Sequence, residues 1–249
     1  MSVAQEIQRL QSAKANIKTA IENKGVTVGD GTIDTYAEKI GQISGGGGGA
    51  NPFEYATFKN GLYQDAVFPE NYQLDIDAPS CAALQYILYG ATGIKKLTFK
   101  GNTQGDVLSL NYLARNCASI GEIDFTNLNC KVSTLNYAFG SASALHTIKG
   151  EFDLTDCTST TRCFQSCKAL TEVRFKPSSI PISIEFGDCT NLSTNTIQSI
   201  FNGLATVGTT QTLTFHSNLK ILQSQVDAAN AKGWTVAGGK VVSEEEYYA

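Results

Sequence analysis

The side chains with the greatest chemical capacity are seven cysteines, at positions 81, 117, 130, 157, 163, 167 and 189, and two histidines, His146 and His216. A structural zinc site draws on Cys-x-x-Cys pairs or on histidines close enough to complete a tetrahedron. Here the nearest approach is Cys163-x-x-x-Cys167, and the histidines stand far apart, so no metal and no other cofactor is expected. Free thiols in a reducing compartment fit this spacing better than disulfides do. Hydrolysis would need a nucleophile with a base in reach, yet neither G-x-S-x-G nor H-E-x-x-H occurs. "GNTQGD", residues 101–106, has glycines without the Lys-Ser/Thr of a phosphate loop and reads as a turn. The acidic residues fall on separate stretches, and the closing "SEEEYY" reads as a solvated end, which leaves a paired-carboxylate glycosidase without a positive signal. The expectation is a protein that binds and does no catalysis.

Composition narrows what it binds. With 42% hydrophobic and 17% charged residues the chain is globular in type. Nineteen basic residues against 23 acidic ones give a net charge of −4, and no basic run is long enough to neutralise a phosphate backbone, so nucleic acid is not an expected partner. No stretch approaches the roughly 18 consecutive apolar residues of a membrane span. The amphipathic start "MSVAQEIQRLQSAKANIK" lacks the apolar core of a signal peptide, so membrane insertion is not expected and synthesis in the cytoplasm is.

The elements that would position a binding surface show themselves as repeats. Ile94-x-x-Leu97-x-Phe99, Ile120-x-x-Ile123-x-Phe125, Leu145-x-x-Ile148 and Leu170-x-x-Val173-x-Phe175 share one pattern, with starts 26, 25 and 25 residues apart. Three residues upstream stands a small residue: Ala91, Cys117, Ala142, Cys167, then Cys189 before Leu192. Further upstream comes a large apolar one: Leu88, Leu113, Phe139, Phe164, Phe186. A unit of this size cannot bury its own apolar face, whereas stacked neighbours can, so the spacing predicts a solenoid with one short strand per unit. Strands are expected near 96–100, 122–126, 147–149, 172–176 and 212–216, side by side and parallel in a right-handed coil. Cys117, Cys167 and Cys189, sharing one register, are expected to be buried and unpaired. The third unit carries Gly150 where phenylalanine is due, and the fifth, from Phe186, is about three residues short.

Ahead of the repeats, Val3, Ile7, Leu10, Ile17 and Ile21 fall at heptad steps, with Lys14 in the one polar slot. Such a helix packs on partner copies or folds back on a neighbour. Ile33, Tyr36, Ala37, Ile40 and Ile43 supply a neighbour at helical spacing. Five glycines, residues 45–49, then read as a linker. The chain therefore divides into a helical attachment and oligomerisation module (1–44), a glycine linker (45–50), an aromatic-rich segment (51–79), the repeats (80–195) and a closing segment with an acidic tail (196–249). The aromatics of 51–79, Phe53, Tyr55, Phe58, Tyr63, Phe68 and Tyr72, suit strands capping the coil or contact residues for sugars and proteins.

"AFGSASALHTIKG" and "CFQSCKALTEVRF" resemble leucine-rich repeats of the BspA type, roughly A-F-x-x-C-x-x-L-x-x-I-x-F, over about residues 80 to 195. "NLSTNTIQSIFNGLA" followed by "TLTFHSNLKILQSQVDAANAKGWTV" is similar to the closing segment of such chains, a helix, a strand and another helix. "AKANIKTAIENKGVTVGDGTIDTYAEKIGQI" resembles the opening module of phage tail and baseplate proteins. Together these imply an α+β protein: a small helical module, then a leucine-rich-repeat solenoid with a parallel β-sheet and capped ends. They imply a phage tail fibre or baseplate component in the virion that recognises a host receptor, glycan or protein; the alternative is a bacterial surface or secreted adhesin. Tail tips of this kind imply a homotrimer, joined through Val3, Ile7, Leu10, Lys14, Ile17 and Ile21. The expected ligand face is the solvent side of the strands, with Lys96, Lys100, Glu122, Asp124, Lys149, Glu172 and Arg174, together with Tyr86, Tyr112 and Tyr137 on the turns.

Overall fold

The computed structural model describes residues 63–77, 84–100, 107–128 and 131–248, together with residues 11, 14, 15, 17 and 18. The chain divides into two units, Met1–Tyr55 and Ala56–Ala249. In the first, Gln11, Lys14, Ala15, Ile17 and Lys18 are helical, and Ile17 is exposed. Val3, Ile7, Leu10, Ile21, the second helical stretch, the glycine run and the 101–106 turn lie outside the described residues.

The second unit is a mixed, strand-rich α+β fold with parallel sheets and few helices. Its main sheet has five strands, β1 (Val67–Asp77), β2 (Thr92–Lys100), β4 (Glu122–Asp124), β6 (Thr147–Phe152) and β7 (Glu172–Phe175), in the order β1-β2-β4-β6-β7. β3 (Val107–Ser109) pairs with β5 (Lys131–Thr134) in a second, smaller sheet. A third contains β8 (Ile184–Phe186), β9 (Gln211–Phe215) and β11 (Trp234–Ala237) in the order β11-β9-β8, and a fourth joins β10 (Lys220–Leu222) to β12 (Lys240–Val242). The helices are α1 (Thr194–Gly203), α2 (Gln223–Ala231) and α3 (Glu244–Tyr248).

Apolar residues spaced about one unit apart form columns. Leu97, Ile123, Ile148 and Val173 stack beneath the main sheet, each at most 2% exposed. Leu88, Ala114, Phe139, Phe164 and Phe186 form a second buried column, Ala114 holding the register next to the equally buried Leu113, and Ala91, Cys117, Ala142, Cys167 and Cys189 form a third with no exposure at all. The three cysteines are free, as are the buried Cys157 and Cys163. Between columns the turns bond to one another: Leu88 N–H donates to Leu113 O (2.7 Å), Ala114 N–H to Ala138 O (2.8 Å) and Phe139 N–H to Cys163 O (3.0 Å). Burying one such side chain contributes roughly 1.5–3 kcal/mol, which neighbouring units supply to each other.

Four of the five expected strand segments share the main sheet. The fifth, β9, belongs to the third sheet instead, for two physical reasons. At the edge of β7, α1 takes the place of a strand: Val173 N–H and Phe175 N–H donate to the hydroxyls of Thr196 (3.3 Å) and Ser199 (3.1 Å), and the Thr196 hydroxyl donates to Thr171 O (2.9 Å). These bonds occupy groups that another strand would need. Phe186, in the short unit, also merges two columns, stacking on Phe164 of the turn column (5.0 Å) while meeting Phe175 and Phe215 of the strand columns (6.3 and 6.1 Å).

The third unit's missing phenylalanine is also explained. Thr147 pairs with Glu172, but the next pair is Glu151 with Arg174, so β6 bulges between them. Gly150 sits at the bulge with φ +94°, and a Cβ there would lie 3.0 Å from Phe125 C. The extra residues carry Phe152 into the vacant place, giving the ring series Phe99–Phe125 (5.1 Å), Phe125–Phe152 (5.3 Å) and Phe152–Phe175 (6.0 Å).

In the closing segment the expected helix, strand and helix are present as α1, β9 and α2. Ser193 caps α1, its hydroxyl accepting from Thr196 N–H at 3.2 Å. Trp234 is buried and donates from Nε1 to Ala205 O (2.8 Å). The acidic end is not simply solvated. Tyr247 is buried, accepts from Gln225 Nε2 (3.1 Å) and donates to Thr194 O (3.3 Å), while Glu246 pairs with Lys240 at 2.8 Å.

Candidate functional site: the exposed face of the main sheet

A parallel strand places alternate side chains on opposite faces, so the inward columns fix which residues point outward. The outer rows follow the register. Gln73, Lys96, Glu122, Thr147 and Glu172 form one; Asp75, Thr98, Asp124 and Lys149 form the next; Glu151 and Arg174 stand opposite each other beyond the bulge. Lys100 ends β2, and its side chain lies outside the described residues.

The expected ligand residues separate into two groups. Lys96 Nζ and Lys149 Nζ both approach Glu122 Oε1, at 2.8 and 2.9 Å. Partial burial raises the Glu122 pKa, but the two ammonium groups outweigh it and hold the carboxyl below its usual range. Asp124 is also held low, because the Thr126 hydroxyl and N–H overcome the opposing effect of burial; the N–H bond is 2.9 Å long and closes the turn after β4. These four side chains are engaged with one another or with their own backbone.

On β7, beside the bulged strand, Glu172 and Arg174 are exposed and, among the described residues, have no ion pair or side-chain hydrogen bond. The same is true of Glu151, which the sequence reading passed over. These three line an open groove that runs from the bulge to α1. One part, of about 310 Å³, is walled by Thr126, Ile148 and Gly150, and the next, of about 430 Å³, by Phe175, Pro177, Asn195 and Asn202; Glu151 and Arg174 line both. A glycine at a position due a phenylalanine is the signal in the sequence that could have located the groove, since bulges re-aim side chains.

The tyrosines form a different structure. Tyr86 and Tyr112 stack at 4.7 Å and 7°, and Tyr112 and Tyr137 at 5.2 Å and 8°. The Arg115 guanidinium lies 4.3 Å from the Tyr137 ring centre, and Arg162 lies 5.8 Å from it and donates to its hydroxyl (3.1 Å). All three rings are half-buried, so their faces are largely taken up by one another and by arginine, and edges and hydroxyls remain. Their backbones are left-handed, with φ of +58°, +55° and +51°, and Arg162 repeats the conformation at +51°. Bulky side chains rarely adopt it; four in one register mark a turn whose ring stack offsets the strain.

The thiols among the described residues are buried and unsuited to nucleophilic chemistry. Burial pushes Cys117 and Cys167 up to about 12, and raises Cys163 and Cys189 as well. Cys167 Sγ donates to Phe139 O at 3.1 Å. Both histidines lie just beyond strand ends, and His146 Nδ1 is 3.0 Å from Thr147 Oγ1 in an exposed position. Among the described residues no three His, Cys, Asp or Glu side chains converge as a metal site requires. No family model matches the chain, and no curated protein or solved structure matches it.

Proposed function

We propose that residues 80–195 are leucine-rich repeats of the BspA type wound into a right-handed solenoid, and that the chain is a receptor-binding component of a phage tail fibre or baseplate. Residues 51–79 close one end of the coil and 196–249 the other. The protein belongs to the virion, recognises a host-surface receptor through the outer face of the main sheet, and does no chemistry on it. One observation carries this reading: the buried columns hold their register from unit to unit while the charges above them change, and on β7 and the bulged end of β6 those charges are free. A rigid scaffold loses little entropy on binding, so its variable outer residues can be fitted to a partner.

Residues 1–44 attach the chain to other tail proteins and assemble it into a homotrimer. The heptad seam supports this, and within it Ile17 is helical with 38% of its surface exposed. The test is negative-stain imaging of virions with a labelled antibody against residues 80–215, alongside sedimentation of the full chain. Label at the tail tip and a trimeric mass are expected. A monomer at all concentrations overturns the assembly, and label absent from the virion overturns the tail assignment.

A further inference from the structure

We propose that the groove between the Gly150 bulge and α1 binds a neutral saccharide, held by Glu151, Glu172 and Arg174 on the sheet side and by the side-chain amides of Asn195 and Asn202 on the helix side. This rests on the receptor-binding reading and gives that surface a ligand class.

Charge decides against an anion. Lys149 borders the groove, but its ammonium is already 2.9 Å from Glu122, which leaves one guanidinium against two carboxylates. A phosphate or carboxylate ligand would meet net repulsion there. Adjacent hydroxyls on a sugar ring each donate and accept, and match planar groups with two parallel contact points: carboxylate, amide and guanidinium. The groove offers these groups and little else that is polar and free.

The helix side is already oriented. Gln198 Oε1 accepts from Gln225 Nε2 at 2.9 Å, and Gln198 Nε2 donates to Asn202 Oδ1, also at 2.9 Å. That fixes the Asn202 amide and leaves its Nδ2 donor available. Pro177, exposed just past the end of β7, supplies apolar wall for the C–H face of a ring. The two parts, about 310 and 430 Å³, fall at the small end of the roughly 300–1,000 Å³ usual for small-molecule sites, which suits one or two sugar rings. Walls made of strand and helix fix the backbones from which these groups project, so that ordering on binding is confined to the side chains.

The experiment is ligand-observed NMR titration of the full-length chain with glucose, galactose, N-acetylglucosamine and their disaccharides, with inorganic phosphate and glycerol phosphate as anionic probes. A saturable signal from at least one neutral sugar is expected. It should weaken about tenfold or more in Glu151→Gln, which replaces charge-assisted bonds by weaker neutral ones, and in Arg174→Ala, which removes them, and persist in Glu122→Gln. Melting temperatures equal to wild type identify the losses as local. No saturable sugar, sugar binding indifferent to Glu151→Gln and Arg174→Ala, or binding of phosphate or glycerol phosphate in place of sugar each overturns the proposal. Attachment of labelled protein to a panel of bacterial cells separates the two readings. Attachment that Arg174→Ala abolishes, without any sugar binding, retains the receptor surface and rejects the saccharide. Sugar binding with attachment unchanged in Arg174→Ala does the reverse.

Discussion

The two faces of the main sheet respond to the same irregularity in opposite ways. Beneath the sheet, the bulge in β6 is invisible to packing: Phe152 arrives two residues late and still meets Phe125 at 5.3 Å and Phe175 at 6.0 Å. Above it, the bulge ends a set of ion pairs. Lys96, Glu122 and Lys149, on β2, β4 and the start of β6, satisfy one another, while Glu151 past the bulge and Glu172 and Arg174 on β7 stand unpaired. A core needs volume at the right place and tolerates the path that delivers it. A surface keeps the record of that path, and here the record is a groove.

The comparison is broken most directly from beneath. Phe152→Ala should cost about 3–5 kcal/mol in urea denaturation if the ring is a full member of the column. A cost under about 1 kcal/mol would mean that Phe125 and Phe175 close the gap without it. Gly150→Val should cost about 1–3 kcal/mol, because its φ of +94° excludes a side chain and its Cβ would press on the Phe125 backbone. A neutral result would show that the bulge relaxes freely. At Tyr112 the usual order of residues should reverse, with Tyr112→Gly more stable than Tyr112→Ala by about 1 kcal/mol, since only glycine accepts its φ of +55° without strain. Equal melting temperatures would remove the left-handed turn from the account.

Smaller effects sharpen the outer face. Glu122→Gln should cost at most about 1 kcal/mol, and less at high salt. Its clearer mark is in pH. The folded-state pKa of Glu122 is depressed, so its contribution is fully present above the ordinary value of 4.5 and is lost as pH falls through the depressed one. Wild type should therefore lose more stability than Glu122→Gln on acidification below 4.5; parallel curves would contradict the ion-pair set. Glu172→Gln and Arg174→Ala should change stability by no more than about 0.5 kcal/mol, as free exposed groups do.

The columns were legible in the sequence because burial demands one residue type at one register, and that demand recurs with every unit. Cys117, Cys167 and Cys189 could be placed inside from spacing alone. The end of the sheet was not legible, since the hydroxyls of Thr196 and Ser199 look like ordinary helix residues until β7 stands beside them. The spacing of Phe186 reads as the turn column, and it does stack on Phe164, but it also ends strand β8 and pairs with Phe215, a neighbour distant in sequence. Within the candidate face, Glu172 and Arg174 were named together with Lys96, Glu122, Asp124 and Lys149. Outward alternation is the same for all six, and only the bulge and the reach of each lysine separate them. Glu151 was missed because its register depends on that bulge.

The turn-to-turn hydrogen bonds carry a consequence for how such a chain can change in length. Each turn donates to its equivalent one unit further on, as Leu88 does to Leu113 and Phe139 to Cys163. Removing residues 117 to 141 would join Asn116 to Ala142, the small residue of the third unit taking the place of Cys117 in the second. Every column and every turn bond would then find a partner of the kind it had before. Removing half as many would set strand against turn and leave backbone groups unmatched through the whole stack. On the proposed solenoid, length in this region is therefore quantised: insertions and deletions of whole units are the ones expected to be tolerated, and the outer surface grows or shrinks one rung at a time.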